Sequence, residues 1–362
     1  MIGGGYDPTN DAKGFSRDTK GNKIYMRDVA SGDILWWAGR KEKDGDPSPN
    51  LNLDRMQHSI VADVRVVDLS GDNFADRMYA ADLGGQVWRF DIANGKSAND
   101  LVSGGVIASV GGEDSAVDRR FYFAPDVAEV RCGGTSFYNV AIGSGDRENP
   151  VNDTSVNNAF FSFRDYLMRT PVDSANYAAN CGSTTDPCFQ RIVDDGSQLV
   201  DVTESAGPAI DATKAGWKLR LVGPGVPPKL PLTAPGEKAL AESRTFANGV
   251  YFTTYTPQAR DSSGDCGTYV GVNRLYVVNA CNAAPVNNFH TEVDSTPTDD
   301  RWQKLAQGSI APEVVFIFPT PPANCTTREC MPPPQCLVGL AGCGRGIPNN
   351  PVRVFWREQG AE

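Results

Sequence analysis

Short aromatic strands that recur in pairs, each pair joined by an Asp/Gly turn, constrain the fold of this chain more than any other feature. Residues Asn22 to Trp37 (NKIYMRDVASGDILWW) predict a strand, a turn and a second strand, and Gln86 to Lys96 (QVWRFDIANGK) repeats the pattern. Weaker echoes lie at Ala159 to Asp165 and at Arg274 to Cys281. Such repeats are typical of propeller blades, which bury their faces only against one another. The repeat favours an all-β propeller over the alternative, a sandwich of unrelated hairpins.

Further strands and irregular insertions lie between these repeats. Apolar or alternating runs predict four strands: His58 to Val67, Phe137 to Gly143, Gly249 to Thr256 and Val314 to Phe318. Long irregular insertions are expected at Asn149 to Asn158, Val172 to Pro187 and Pro257 to Gly267. Helical candidates are few, and Glu237 to Arg244 is a short one. The 37 glycines and 25 prolines agree with many turns and short strands.

The chain divides by composition into two parts. Residues 1–318 carry the predicted blades, and residues 319–362 form a tail that is rich in proline and cysteine. The tail has little to bury until Val352 to Arg357 (VRVFWR), which predicts a last strand that closes the propeller.

The nine cysteines predict disulfides. Eight fall into four close pairs, and Cys132 is left over: Cys181/Cys188, Cys266/Cys281, Cys325/Cys330 and Cys336/Cys343. No CxxC occurs, and neither histidine is near a pair, which disfavours zinc. Four local disulfides in an oxidising compartment are expected, although spacing leaves the pairing of the last four cysteines open. Cys132, in the apolar stretch VAEVRCGG, is predicted to be a buried thiol.

Charge and hydropathy exclude several classes of protein. The net charge of −10 disfavours nucleic-acid binding, which requires a surface of lysine and arginine. No stretch approaches the roughly 20 apolar residues of a membrane span, and the start MIGGGYDPTN is not a signal peptide. A disulfide-rich chain of this kind is expected to be part of a longer secreted protein.

Alternating oxygen side chains between two predicted strands indicate a metal site. Asp68, Ser70, Asp72 and Asp76 supply side-chain oxygens, and Phe74 supplies a backbone carbonyl. This is the 1-3-5-7-9 spacing by which a tight loop surrounds a hard cation. Calcium is expected rather than magnesium, because a flexible loop of protein oxygens suits its larger and more variable coordination shell. The alternative is a turn rich in Asp and Asn that binds no ion.

Two positions distinguish this loop from an EF-hand. Position six, which commonly requires a positive φ, is Asn73 instead of glycine. Position twelve, where an EF-hand places a bidentate Glu, is Tyr79. Because the flanks VRVV and RMYAA read as strands, we expect an EF-like loop without helices.

An enzyme is not expected. The chain has no Gly-x-Ser-x-Gly, HExxH or P-loop lysine motif. The run Gly143 to Glu148 (GSGDRE) is interpreted as a salt-bridged corner instead of a catalytic cluster. The alternative function is a quinoprotein-like periplasmic oxidoreductase, whose fold is also a propeller. The absence of a Cys-Cys dipeptide, which those enzymes typically carry at the cofactor, disfavours it.

Several stretches, in family order, resemble the C-terminal domain of PilY-type proteins, the type IV pilus tip adhesins and assembly factors related to PilC-type adhesins. They are GNKIYMRDVASGDILW, VDLSGDNFADRMYAADLGGQVWRFD, AIGSGDRENP, GVYFTTYTP and GVNRLYVVNAC. The central block is the most specific, and it departs from the family loop at Ser70 (usually Asn or Asp) and Asn73 (usually Gly).

The resemblance implies a modified, quinoprotein-like β-propeller, incomplete at its N-terminal side, with a calcium site formed by Asp68, Ser70, Asp72, Asp76 and the Phe74 carbonyl. It also implies an exported protein at the pilus tip, on the outer surface or in the periplasm. Its role would lie in pilus extension and retraction, twitching motility and surface adhesion. The implied partners are pilus subunits (minor pilins) and host or abiotic surfaces.

Overall fold

The computed structural model describes residues 1–10, 16–43, 45–151, 155–221, 236–257, 271–289, 299–322, 324–325, 330, 332–339 and 341–343. These residues form five β-sheets, with a single α-helix, α1 (Ser174–Cys181), among them. The described part of the chain is therefore nearly all β, as the repeated strand pairs predict.

The first two sheets contain the N-terminal repeats, and their strands are numbered in chain order. Sheet 1 has the order β1 (Ile2–Gly3), β2 (Lys23–Arg27), β3 (Ile34–Gly39), β4 (Leu51–Asn52). Sheet 2 has the order β5 (Arg65–Val67), β6 (Arg77–Ala81), β7 (Gln86–Ile92), β8 (Val102–Ser109), β12 (Cys188–Val193). Strands β5 to β8 form an antiparallel meander, and β12 returns from a later insertion to pair parallel with β8.

The remaining sheets follow the same plan. Sheet 3 has the order β9 (Asp126–Cys132), β10 (Thr135–Gly143), β11 (Ala159–Asp165), β14 (Gly216–Arg220), β13 (Leu199–Asp201). Sheet 4 has the order β15 (Arg244–Phe246), β16 (Gly249–Thr256), β17 (Val272–Asn279), β18 (Trp302–Lys304). Sheet 5 has the order β19 (Val314–Ile317), β20 (Gln335–Val338), β21 (Ala341–Gly342).

Each sheet packs face to face on the next one in chain order. Trp36 of sheet 1 and Trp88 of sheet 2 share one apolar cluster, and Val87 of sheet 2 joins Phe161 of sheet 3 in another. Further clusters join sheet 3 to sheet 4 and sheet 4 to sheet 5. Because neighbouring residues of a strand point to opposite faces, Val87 and Trp88 reach different clusters. Sheets stacked in this way form the predicted propeller-like architecture.

Most predicted strands are present with nearly the predicted bounds. The stretches Ala159 to Asp165 and Gly249 to Thr256 coincide with β11 and β16. The prediction for His58 to Val67 was too long, because only β5 pairs in a sheet and the preceding residues form a loop.

The helical candidate at Glu237 to Arg244 was wrong. Lys238 forms an isolated bridge with Tyr255, and the chain then enters β15. The helix α1 instead lies within the insertion Val172 to Pro187, which the sequence predicted to be irregular. Its first turn is capped by Asp173, whose carboxylate accepts from the Asn176 amide, and its last turn ends at Gly182 in the left-handed conformation.

The predicted cysteine pairing is correct at three positions and wrong at one. Disulfides join Cys181 to Cys188, Cys325 to Cys330 and Cys336 to Cys343. Cys132 is not a buried thiol; it forms a disulfide with Cys281, 149 residues away, so Cys281 is not paired with Cys266. The physical reason is that β9 and β17 end next to each other in neighbouring sheets, a proximity that spacing along the chain does not reveal. Cys266 lies outside the described residues.

The predicted division at residue 318 stays a prediction. In the described part of the tail, β20 pairs with β19 and β21 pairs with β20 to complete sheet 5. The predicted closing strand, Val352 to Arg357, lies outside the described residues, as does most of the insertion Pro257 to Gly267. No helix among the described residues is long and apolar enough to cross a membrane.

Candidate metal centre in the β5–β6 hairpin

The predicted metal loop, residues 68–76, is the connection of the hairpin formed by β5 and β6. Val67 and Arg77 are the last paired residues before the loop. The Asp76 amide donates to the Val67 carbonyl at 3.0 Å, and the Asp76 carbonyl accepts from the Ile92 amide of β7 at 2.8 Å. The C-terminal end of the loop is thus held by two strands at once.

Three of the predicted ligands come together. One carboxylate oxygen from each of Asp68, Asp72 and Asp76 lies within 4.8 Å of the other two. Asp68 and Asp72 are exposed, and Asp76 is half-buried. Ser70 is exposed beside them, its hydroxyl donating to Asp68 Oδ1 at 3.3 Å. The Phe74 ring points away from any core, with 63 % of its surface exposed, so the residue can contribute to the site only through its backbone.

Asp68 organises the first half of the loop. Its Oδ1 accepts from the amides of Gly71 at 2.6 Å and Ser70 at 3.1 Å, and its Oδ2 accepts from the Asn73 amide at 2.9 Å. Partial desolvation opposes ionisation of this carboxyl, but the amides of Asn73 and Gly71 outweigh it and lower the pKa of Asp68. The carboxylate is therefore ionised at neutral pH.

The other two carboxylates keep one oxygen each for a ligand. Asp76 Oδ2 accepts from the amides of Leu69 at 2.7 Å and Ser70 at 3.0 Å, and Asp72 Oδ1 accepts from Phe74 at 2.9 Å. Within the described contacts, Asp76 Oδ1 and Asp72 Oδ2 accept no hydrogen bond. Two free carboxylate oxygens beside a third carboxylate form the hard, anionic donor set that calcium prefers. The residues present fit the ion.

The backbone of the loop confirms the prediction for position six. Asn73 has a φ of 69°, and Gly71 has a φ of 75°. Asparagine is one of the few non-glycine residues that adopts this left-handed conformation readily. The departure from the family glycine is thus compatible with the tight curve of the loop. Tyr79, at position twelve, is fully buried in β6 and donates to Asp165 at 2.6 Å, so it cannot complete an EF-hand.

Directly beneath the loop lies a buried charge network that sequence reasoning missed. Arg77 and Arg89 are both fully buried, and both bind Asp91, through Arg77 Nε at 2.8 Å and Arg89 Nη2 at 3.0 Å. Arg89 Nη1 also binds Asp165 of sheet 3 at 2.7 Å. Buried charges are tolerated only when they are paired and hydrogen-bonded. The network therefore joins sheets 2 and 3 under the metal loop.

Aromatic groups complete the network. Tyr177 of α1 donates to Asp91 at 2.8 Å, and the Arg89 guanidinium lies 4.1 Å from the centre of the Phe189 ring. Burial and the Asp165 carboxylate raise the pKa of Tyr79 well above its ordinary value, so this residue stays a neutral donor. The signal in the sequence was the presence of charged residues inside otherwise apolar strands, RMYAAD, QVWRFD and SFRD.

The Gly143 to Glu148 run, three tryptophans and His58 all make contacts that stabilise the fold. In the Gly143 to Glu148 run, Asp146 accepts from the amides of Glu148 and Asn149 and from the Tyr122 hydroxyl. Its ion pair is with Arg120, outside the run, at 3.7 Å, so the run is a salt-bridged corner as predicted, with a partner that the sequence did not indicate. Trp36, Trp88 and Trp217 are fully buried between sheets. His58 is buried against Gly84, where an added Cβ would lie 2.1 Å from the imidazole ring.

The fold and the loop together define a class: an all-β, modified β-propeller with disulfides and an acidic hairpin loop in its second sheet. The crystal structure of the Pseudomonas aeruginosa PilY1 C-terminal domain has this fold; it superposes with a TM-score of 0.54 over 91 % of this chain and 67 % of that chain, at 15 % identity. No protein-family model matches the chain.

A protein that is similar in sequence to this chain also carries the PilY1 name. The chain is 24 % identical over 344 residues to a type IV pilus biogenesis factor PilY1 homolog of Xylella fastidiosa. The match covers 88 % of this chain but 21 % of the relative, so the chain spans about a fifth of the length of that protein. The resemblance to the C-terminal domain of PilY-type proteins is confirmed.

Proposed function

We propose that this chain is a calcium-binding β-propeller module of a type IV pilus tip protein. Two similarities support the proposal: the curated relative carries the name of a type IV pilus biogenesis factor, and the solved structure is a PilY1 C-terminal domain. The module would act without catalysis, in an exported protein located at the pilus tip, on the outer surface or in the periplasm.

The observation that carries the calcium proposal is the convergence of Asp68, Asp72 and Asp76 within 4.8 Å on one hairpin loop. Three carboxylates at that distance repel one another, and a divalent cation removes the repulsion. Asp76 would bind through Oδ1 and Asp72 through Oδ2, the oxygens that accept no described hydrogen bond. Ser70 and the Phe74 carbonyl would add neutral oxygens. Asp68 would bind while its amide contacts keep the loop curved.

The function of the ion would be to fix the shape of a surface that other pilus components contact. Pilus subunits (minor pilins) and host or abiotic surfaces are the proposed partners. The balance between pilus extension and retraction, and with it twitching motility and adhesion, would then depend on whether the loop holds calcium. A loop held at its end by β5 and β7 is suited to this role, because its ordering reaches the sheet directly.

Isothermal titration calorimetry of chelator-treated protein tests the binding. Asp72→Asn is the informative variant, because it preserves the size of the side chain and the acceptor for the Phe74 amide while removing one charge. Asp195→Asn is the matched control, since Asp195 is an exposed loop carboxylate that accepts from the Ser197 amide in the same way. We expect saturable calcium binding in the wild type and in Asp195→Asn, and a large loss of affinity in Asp72→Asn. Equal binding in all three proteins would exclude the site.

The cellular function is tested by introducing the same two substitutions into the full-length gene in its own bacterium. We expect the Asp72→Asn strain to show altered twitching zones and altered numbers of surface pili, with normal amounts of the protein. The Asp195→Asn strain should behave as wild type. Normal twitching and piliation in an Asp72→Asn strain whose protein has lost calcium would separate the ion from pilus function.

A further inference from the structure

We propose that metal binding in the hairpin loop controls the order of a surface segment, residues 166–171, through the buried Arg77 of β6. This inference rests on the proposed calcium site and adds the surface on which the ion acts. The segment follows β11 of sheet 3, whereas the loop belongs to sheet 2.

The backbone of the segment is held by two arginine side chains of sheet 2, one from β6 and one from β7. Arg77 donates from Nη1 to the Met168 carbonyl at 3.0 Å and from Nη2 to the Thr170 carbonyl at 3.2 Å. Arg89 donates from Nη2 to the same Thr170 carbonyl at 3.2 Å. Three charge-assisted hydrogen bonds from fully buried guanidinium groups thus hold the carbonyls of Met168 and Thr170.

Four of the six side chains of the segment, in contrast, are exposed, while Tyr166 and Met168 are half-buried. Leu167 has 44 % of its surface exposed, and Arg169, Thr170 and Pro171 are also exposed. A segment with anchored carbonyls and exposed side chains presents those side chains in a fixed arrangement. Its apolar and cationic groups, Leu167 and Arg169, stand out on a chain with a net charge of −10. They form a surface suited to an acidic protein partner with apolar side chains.

The connection to the metal runs through adjacent residues. Asp76, the last proposed ligand, directly precedes Arg77, and its amide and carbonyl are bonded to Val67 and Ile92. Without a cation, repulsion among three carboxylates acts on the pair of residues that closes the loop, Val67 and Arg77. Loosening that pair moves the arginine that holds Met168 and Thr170. The ion therefore stabilises the position of the guanidinium as well as the loop.

Hydrogen–deuterium exchange measured by mass spectrometry tests this coupling on the whole chain, in calcium and in a chelator. We expect the amides of residues 166–170 to exchange about 5- to 150-fold more slowly with calcium, the usual range of coupling between two sites. The turn at Gly133 and Gly134, between β9 and β10, serves as the internal control and should not change. In Asp72→Asn the calcium effect on the segment should disappear.

Arg77→Lys provides a second variant, since it keeps the charge but cannot reach both carbonyls. It should still bind calcium in calorimetry, while exchange of the segment becomes independent of the ion. If Arg77→Lys does not fold, the comparison of wild type with Asp72→Asn decides alone. Calcium binding with unchanged exchange of residues 166–170 would overturn the coupling and leave the proposed function intact. Absence of calcium binding would overturn both.

Discussion

Arg77 and Asp91 face each other across strands β6 and β7, and the guanidinium Nε donates to the carboxylate Oδ1 at 2.8 Å with neither side chain reached by solvent. This pair joins the end of the predicted metal loop to the interior of the propeller. Asp76, a proposed ligand, directly precedes Arg77 in the chain. The guanidinium of Arg77 also donates to the carbonyls of Met168 and Thr170 in the surface segment. The site and the core of the fold are therefore continuous.

Asp91→Asn should destabilise the protein strongly. Two buried guanidinium groups, Arg77 and Arg89, would lose a shared counter-charge, and breaking a buried ion pair from one side costs about 3–5 kcal/mol. Tyr177→Phe is the control, because it removes only the hydroxyl that donates to Asp91 and should cost about 1 kcal/mol. Chemical denaturation measures both. A loss near 1 kcal/mol for Asp91→Asn would show that the network is not a major source of stability.

Ser70→Asp should strengthen calcium binding. The substitution replaces a neutral oxygen with a fourth carboxylate, and the number of charged ligands sets calcium affinity in loops of this kind. We expect a dissociation constant about tenfold lower in a calorimetric titration. Without the ion the variant should be less stable than wild type, because the added charge increases repulsion within the loop. An unchanged or weaker affinity would place Ser70 outside the coordination shell.

Removing the disulfide between Cys132 and Cys281 should have a larger effect than removing the one between Cys325 and Cys330. The first closes a loop across 149 residues and the second across 5, and loop closure restricts the unfolded chain more for longer loops. The double serine variant at Cys132 and Cys281 should lose about 2–5 kcal/mol of unfolding free energy. Peptide mapping under non-reducing conditions checks the connectivity, and a Cys266–Cys281 cross-link would contradict it.

Acid should weaken the N-terminal part of the fold through Asp7. Burial opposes ionisation of this carboxyl, but the hydroxyls and amides of Thr9 and Thr19 outweigh it and hold the pKa of Asp7 well below its ordinary value. A lowered folded-state pKa contributes stability that is present above the unfolded-state pKa, about 3.9, and is lost as the pH falls. Asp7→Asn should therefore cost about 1–3 kcal/mol at neutral pH.

The pH dependence of that difference is the check. The unfolding free energies of wild type and Asp7→Asn should differ by a constant amount down to about pH 5. The difference should begin to shrink at about pH 4 and should vanish only below the lowered pKa of the folded protein. A separation that does not change with pH would show that Asp7 acts through its shape instead of its charge.

Much of the fold is predictable from the sequence, because alternating and apolar runs of residues predict individual strands. Strands such as β11 and β16 follow directly from them. The pairing of β12 with β8 and of Cys132 with Cys281 is not predictable in this way, since each depends on how distant segments meet. The helix α1 was missed because its sequence, SANYAANC, has little apolar periodicity, and its stability comes from Tyr177 packing into the core.

The candidate site, like the fold, is predictable from the sequence only in part. Local spacing predicts that Asp68, Asp72 and Asp76 converge, because all three lie in one turn of chain. The network below them combines Arg77, Arg89 and Asp91 with Asp165 from another sheet, and no local pattern relates those positions. Charged residues within apolar strands indicate that such a network exists, but their partners become evident only in the folded chain.

An anomalous difference map from a crystal of this chain grown with calcium chloride tests the central claim most directly. The account predicts one strong peak in the β5–β6 loop, about 2.3–2.6 Å from carboxylate oxygens of Asp68, Asp72 and Asp76 and from the Phe74 carbonyl. A crystal of Asp72→Asn under the same conditions should lack that peak. A wild-type map with no peak at this loop, or with its only calcium peak elsewhere, would contradict the account.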